Sequence, residues 1–372
     1  SVGGVQEVIK QISSRLIKLS HNVTIATSSL VKNTKSTNYK KIKVKRFNIT
    51  GNFVKGIHGN VKEYQNFVVN GGYDLVFIYA AQQWTFDSLI DKFNSISSRI
   101  VFVPCGFSSL YDPEYKSYFK KLNKIYPYID SFIFHSFTYR DYKVIANKYK
   151  NKCFLVENAA DLSEFDTVKD TFVYYRKPSA FNLLNVGSFN GLKGQLTIIM
   201  SLWFLPNDLN INLLLNGNIP KKYIYPSKSL KSIKLTKALN INFVLSYLVR
   251  RYYLQLIKFH SFFIQLVKKN ITIKIDNLSR PKLVKAYKNA DLFVFTSNIE
   301  YSPLVIFESI AAGLPFISSS VGNVPEIIKW TRSGEIIKSK KDNKGFTSVH
   351  PRTLALTINS VLTDHRKMLL FK

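Results

Sequence analysis

Two carboxylates with seven residues between them, Glu300 and Glu308, flank a Ser302-Pro303 step. Ahead of them Leu292-Phe293-Val294-Phe295-Thr296 is short and apolar, as in a strand buried on both faces. Behind them Gly313 and Pro315 close a helical stretch, and Phe316-Ile317-Ser318 opens the next strand. Ser302 is the expected N-cap, with Pro303 at the first helical position, where a missing N–H costs nothing. A helix N-terminus at the end of a parallel strand presents unpaired N–H groups, here near Leu304 and Val305, and the positive end of a dipole. That is a seat for phosphate. Glu308 is placed to accept bonds from vicinal hydroxyls such as a ribose, and Glu300 from another polyhydroxylated group. The same spacing also describes an ordinary βα unit with solvated glutamates, and spacing alone leaves the two equal.

The elements that must position these residues belong to a chain of 372 residues, too long for one simple core, so two domains are expected. Its composition is globular, 46% apolar and 20% charged, and its two cysteines, Cys105 and Cys153, form no close-spaced metal pair. Scarce cysteine suits a reducing cytoplasm. No apolar run reaches the roughly 18–20 residues that span a bilayer, and no charged-then-apolar leader is visible. The net charge is +30, and it is uneven: from Leu209 to Ile275 there is no acidic residue against twelve Lys or Arg. Such a stretch implies an anionic partner, whether membrane surface, nucleic acid or acidic glycan. No recognised nucleic-acid motif accompanies it, so a basic nucleic-acid binder is a minor alternative.

The segment from Asp291 to Ile328 resembles the donor-site motif of family 4 glycosyltransferases, retaining enzymes of the GT-B fold. The likeness rests on Glu300, Glu308, the Ala311-Ala312-Gly313-Leu314-Pro315 turn and Glu326, which the family carries in a later loop. It implies two Rossmann-like α/β/α domains facing a cleft: an acceptor-side domain over 1–165, a linker over 166–180, and a nucleotide-sugar donor domain over 181–372 with a basic insert at about 220–270. It also implies transfer of a hexosyl group from a UDP-, GDP- or ADP-sugar to a glycan or lipid-linked acceptor, with retention of configuration. Glu300 and Lys193 are then the catalytic candidates. No Asp-x-Asp occurs, which argues against a metal-bridged donor, so no metal or other cofactor is expected.

In chain order, Gly3 and Gly4 open the helical pattern Val5, Val8, Ile9, Ile12, Leu16 and match the family's Gly-Gly pair beside the donor, where a Cβ would block close approach. A doubly wound domain has a strand before that loop, and none precedes Gly3. The expectation is a piece of a longer reading frame. Strands are expected at 22–27, 73–79, 99–103 and 131–134. After the second, Gln82, Trp84 and Asp87 are acceptor-pocket candidates, although Trp84 suits core packing as well. Cys105-Gly106 stands where many family members have His-Gly, which makes Cys105 an acceptor-side candidate without the histidine role. His135 reads as structural. The 154–161 stretch resembles the strand and Asn-Gly-x-Asp turn that end the first domain, with Ala159 for Gly.

The second domain opens on a strand, 181–187, then Gly187-Ser188 and Lys193-Gly194. In the family an Arg and a Lys here neutralise the departing pyrophosphate. Lys193 matches, and Ser188 stands in the place of the Arg. Within the insert, Ser246 to Asn270 predicts a long helix with a polar stripe at Arg251, Gln255, Lys258, Gln265 and Lys269. A membrane-interface helix and one packed on its own domain are equal readings. The resulting expectation is a cytoplasmic enzyme, peripheral at the inner membrane face. The alternative, from the Ser188 and Cys105 departures, is a nucleotide-sugar-binding protein without turnover.

Overall fold

Alternation of short apolar runs with amphipathic helices builds parallel sheets here, because each crossover helix lays its apolar stripe over the strands it connects. A computed structural model describes residues 3–29, 37–39, 42–166, 180–218 and 252–371. The chain divides into two units, Ser1–Asn158 and Ala159–Lys372.

In the first unit, helix α1 (Gly4–Lys18) leads through Leu19–Val23 into β1 (Thr24–Ser28). Strands β2 (Thr37–Tyr39) and β3 (Ile42–Phe47) join it in a three-stranded sheet of order β1-β3-β2, with β1 and β3 parallel. A hairpin of β4 (Ile49–Asn52) and β5 (Gly56–Gly59) and helix α2 (Val61–Val69) follow. Four parallel strands then form a separate sheet in sequential order: β6 (Leu75–Tyr79), β7 (Arg99–Val103), β8 (Ser131–Phe134) and β9 (Cys153–Leu155). Their core is aromatic, with Phe86 stacked on Phe102 at 4.3 Å and Tyr126 edge-on to Phe132 at 5.7 Å.

The second unit is built on one six-stranded parallel sheet. Its strands are β10 (Phe181–Val186), β11 (Ile211–Asn216), β12 (Ile271–Asp276), β13 (Leu292–Phe295), β14 (Phe316–Ser319) and β15 (Gly334–Ile337). Their spatial order is β12-β11-β10-β13-β14-β15, so the chain winds outward from β10, returns, and winds out the other way from β13. Every residue of β11, β13 and β14 is buried, as continuous apolar strands between two helical layers require. Leu213, Ile257 and Ile358 fill one face, and Tyr287, Phe293 and Ile306 the other.

Among the described residues the α-helices of this unit are α3 (Leu162–Asp166), α4 (Gln195–Ser201), α5 (Tyr253–Val267), α6 (Arg280–Asn289), α7 (Leu304–Ala311), α8 (Val324–Thr331), α9 (Pro351–Thr363) and α10 (His365–Leu370). Phe165 of α3 packs beside Tyr287 and places that short helix with the second unit. Of the long helix expected over 246–270, α5 lies in the described residues, while 219–251, including Arg251, fall outside them, as do 167–179 of the expected linker. The buried side of α5 is Tyr253, Leu254, Ile257, Ser261 and Ile264. Gln265, expected on the polar stripe, turns inward instead: its Oε1 accepts from the Ile273 N–H at 2.8 Å, which satisfies a strand-edge donor.

Two details of α7 and α8 differ from expectation. The N-cap of α7 is Pro303, because the Ser302 hydroxyl is taken up by the Asn323 amide at 3.1 Å and does not cap. Glu326 lies in the first turn of α8, where a carboxylate complements the dipole, and not in a loop. The far end of α7 is as expected. Gly313 takes the left-handed conformation, with φ +67°, and the Leu314 N–H returns to the Ser309 carbonyl at 2.9 Å.

Candidate functional site

The reversal of strand order between β10 and β13 opens a crevice at their carboxyl ends, the place where open α/β sheets bind ligands. Two loops meet there, 187–194 after β10 and 296–303 after β13. The Asn298 N–H donates to the Leu192 carbonyl at 2.8 Å, and Thr296 Oγ1 to the Gly194 carbonyl at 3.0 Å. Gly194 permits this contact: its φ is +70°, and a Cβ there would lie 2.1 Å from the Thr296 carbonyl oxygen. Gly322, with φ +55°, supports the second loop from below, since a Cβ there would meet the Tyr301 carbonyl at 2.4 Å. Ser319 Oγ adds a 2.7 Å bond to the Ser297 carbonyl.

This stitching brings Lys193 and Glu300 together although 107 positions separate them in sequence. Lys193 Nζ pairs with Glu300 Oε1, which also accepts from Ser297 Oγ at 2.9 Å. Both side chains are mostly buried, 25% and 15% exposed, so the pair is partly shielded from water yet reachable from the crevice. The Lys193 stem runs along Gly187, where a Cβ would come within 3.1 Å of it. The carbonyls of Gly187 and Ser188 are both held by Gln195 Nε2, at 2.9 and 3.3 Å.

Glu308 has a different set of partners. Its Oε1 receives Arg280 Nη1 at 2.6 Å, and the same guanidinium reaches Glu164 Oε2 with Nε at 3.1 Å and Nη2 at 2.5 Å. Burial raises the Glu308 pKa, and the Arg280 charge beside it counters part of that rise. For Arg280, burial works against the charged form, but Glu308 and Glu164 more than offset it and its pKa rises. Arg280 escaped the reading of site residues. A signal existed, because a cation on the first residue of α6 opposes the helix dipole and calls for a carboxylate partner.

The remaining candidates belong to the first unit. Gly3 is the extended N-cap of α1, and Gly4 its first residue. Trp84 sits in the aromatic core, 4.9 Å from the Tyr64 ring, with Nε1 donating to Ser28 Oγ at 2.7 Å. Asp87 is buried too, accepting from the Phe53 N–H at 2.9 Å and the Tyr118 hydroxyl at 2.7 Å. Trp84 lines a cleft of about 560 Å³ in the first unit, whereas Asp87 is spent on hydrogen bonds within the core. The loops after β6 and β7 carry four non-glycine residues in the left-handed region, Ala80, Gln82, Cys105 and Phe107. Such backbone strain clusters at binding sites. Gln82 is 8% exposed, and its Nε2 is a buried donor with no partner among the described residues. Burial, followed by the nearby Asp141 carboxylate, pushes the Cys105 thiol up, which keeps it protonated. His135 bridges the Tyr79 hydroxyl at 2.8 Å and the Val156 carbonyl at 2.6 Å, the structural role its sequence position suggests.

Two Rossmann-like α/β units, the second with its switch-point crevice, define the GT-B fold of glycosyltransferases. Within that class, residues 265–364 match the family "Glycosyl transferases group 1". An uncharacterized glycosyltransferase of Methanocaldococcus jannaschii is 37% identical over 82 residues, which span 22% of this chain and 19% of that protein. Among solved structures, sucrose-phosphate synthase from Thermosynechococcus elongatus superposes with a TM-score of 0.67 at 16% identity, over 99% of this chain and 87% of its own. HepE from Anabaena, in complex with UDP, gives 0.53 at 14% identity, over 84% and 74%.

Proposed function

We propose that the chain is a metal-independent glycosyltransferase that moves a hexosyl group from a UDP-, GDP- or ADP-sugar to a glycan or lipid-linked acceptor with retention of configuration. The observation that carries this reading is the Lys193–Glu300 pair at the β10/β13 switch point, beside the loop that feeds helix α7. Breaking the bond from the anomeric carbon to a nucleoside diphosphate leaves negative charge on the departing phosphate. The Lys193 ammonium and the N–H groups of Leu304 and Val305 are the groups suited to stabilise it as it develops. Glu300 holds Lys193 in place and offers a carboxylate to sugar hydroxyls, and Glu308 offers one to a ribose. On the acceptor side, the Gln82 Nε2 donor, which has no partner among the described residues, and the strained Cys105 loop supply polar contacts. The UDP bound by HepE supports a uridine diphosphate donor.

The test is transfer and hydrolysis of labelled UDP-, GDP- and ADP-sugars with a polyprenyl-linked glycan present, repeated in chelator. Lys193→Ala is expected to lower turnover by about 10²–10³-fold, the usual effect of removing one group that stabilises developing charge. Unchanged turnover in Lys193→Ala refutes the assignment. Donor binding without turnover in the parent chain establishes the second reading, a binding protein, which Ser188 and Cys105 favour.

A lipid-linked acceptor accords with the outer face of α5. Phe259, Phe262 and Leu266 are 57%, 62% and 53% exposed there, close in sequence to the exposed Lys258 and Lys269. An apolar face edged by cations suits the interface of an anionic membrane. Among the described residues no helix is long and apolar enough to cross one.

A further inference from the structure

Past β15 the chain adds a short hairpin that lies outside the six-stranded sheet. Its strands are β16 (Ser339–Lys341) and β17 (Thr347–Val349), antiparallel, with Lys341 opposite Thr347 and Lys340 opposite Ser348. A two-stranded hairpin is marginal in water by itself, so this one must be held from outside its own ladder. Asn298 and Ser320 hold it. The Thr347 N–H donates to the Asn298 carbonyl at 2.7 Å, and Asn298 Nδ2 returns a bond to the Thr347 carbonyl at 2.8 Å. Thr347 Oγ1 reaches the Ser320 carbonyl at 3.3 Å. Since the Asn298 N–H also donates to the Leu192 carbonyl, the hairpin joins the frame that sets Lys193 against Glu300.

Between the hairpin and the two loops lies an open cleft of about 340 Å³, walled by Gly191, Leu192, Asn298, Lys340, Lys341 and Phe346. Small-molecule sites occupy about 300–1,000 Å³. Successive strand residues face opposite ways, and Lys341 shares the face of Thr347, which is 1% exposed. Lys341 therefore leaves the hairpin on its inner face, and Lys340 lines the cleft from the outer one. Neither ammonium makes an ion pair among the described residues. Asp342 lines the cleft too, but its Oδ1 accepts from the Lys344 and Phe346 N–H groups at 2.9 and 2.8 Å and shapes the turn. Those two N–H groups and that of Thr347 are thus spent within the protein, and no nest of backbone donors is left there to cradle a phosphate. What the cleft offers a ligand is two separate ammoniums, the Ser348 hydroxyl and a Phe346 ring that is 36% exposed. A sugar bearing a carboxylate fits that set: its ring face lies on the aromatic, a hydroxyl meets Ser348, and each carboxylate takes one ammonium. We propose that this cleft binds an acidic glycan, one whose sugar residues carry carboxylates, as a part of the acceptor held beside the donor crevice. The acceptor role rests on the transferase reading given above, whereas binding in the cleft needs no turnover.

The experiment titrates tri-galacturonate into the full chain by calorimetry in excess UDP, with maltotriose as the neutral control and inorganic phosphate as the bare anion. Saturable binding of the acidic trisaccharide is expected, at least about tenfold tighter than that of maltotriose. Lys340→Ala/Lys341→Ala is expected to weaken it about fivefold or more, and Phe346→Ala about threefold, with UDP affinity within about twofold of the parent chain in both. Lys193→Ala is expected to do the reverse, weakening UDP and leaving the trisaccharide within about twofold. Equal affinity for maltotriose, tighter binding of phosphate than of the trisaccharide, or full affinity in the double lysine variant overturns the proposal. If UDP does not bind while tri-galacturonate still binds through Lys340 and Lys341, the transferase reading is refuted and the glycan site stands.

Discussion

Replacing Arg280 with Met tests the electrostatic logic of the second unit. The substitution keeps most of the side-chain volume and leaves the Glu308 carboxylate, 13% exposed, without its cation. Breaking a fully buried pair costs about 3–5 kcal/mol, but Arg280 is itself 40% exposed. Water screens the pair accordingly, and the expected loss at pH 7 is about 1–2 kcal/mol. Its pH dependence is the sharper signature. Burial already raises the Glu308 pKa above its ordinary 4.5, so the folded chain holds that proton more tightly than the unfolded one. Stability contributed by this group is therefore greatest below 4.5 and falls as pH climbs through the folded value. Arg280 limits that fall, and its removal moves the Glu308 pKa further up. The deficit of Arg280→Met is thus expected to be large at pH 7 and to shrink to a few tenths of a kcal/mol near pH 4, where Glu308 is neutral. Urea unfolding read by hydrogen exchange in peptides covering 280–311 confines the measurement to this unit. The double variant Arg280→Met/Glu308→Gln is expected to recover at least about half of the loss at pH 7. An equal deficit at pH 4 and pH 7, with no recovery in the double variant, refutes the reasoning.

Gly194→Ala adds a Cβ 2.1 Å from the Thr296 carbonyl at a left-handed position, and should cost at least about 2 kcal/mol in urea unfolding while weakening donor binding in calorimetry. Glu300→Gln removes the countercharge of Lys193 and keeps the Ser297 bond; turnover is expected to fall more than donor affinity, and a pure affinity loss would assign Glu300 to binding alone. Burial lowers the His135 pKa below its ordinary 6.5, so stability from this group is complete above 6.5 and is lost as pH falls toward the folded value; His135→Gln should flatten the fall in urea midpoint between pH 7.5 and 5. Phe259→Asp/Phe262→Asp should reduce co-sedimentation with anionic liposomes at least about tenfold, and equal pelleting would discard the membrane contact.

What the sequence disclosed follows from the range over which each signal acts. Strands such as Arg99–Val103 and Ile211–Asn216 were legible because each carries a short apolar run, Ile100–Val103 and Leu213–Leu215, that is largely buried. The stretch from Ile42 to Gly59 carries no such pattern: Lys43, Lys45 and Arg46 interrupt β3, and the hairpin after it sets Gly51, Gly56 and Gly59 opposite Ile57, Asn52 and Ile49, without an alternating apolar face. At the site, the Glu300 and Glu308 spacing was visible because both lie within one βα unit. Lys193, 107 positions away, was reached through the family resemblance and not through its pairing with Glu300, and Arg280, which unites two glutamates from separate helices, was not reached at all.

The order of strands explains why local spacing misled in one respect. Glu300 and Glu308 look like a matched pair in sequence, yet they answer to different neighbours. Glu300 lies in the loop that follows β13 at the switch point and therefore meets the loop that follows β10, which carries Lys193. Glu308 is carried on α7, next to the start of α6, and meets Arg280 and through it Glu164. A cation thus attends each carboxylate, and the two do not share one. Neutralising Lys193 should therefore disturb phosphate handling and leave Glu308 intact, while neutralising Arg280 should act first on stability. That separation gives the seven-residue spacing a physical meaning: it assigns one glutamate to the mouth of the crevice and the other to a helix held in place from behind.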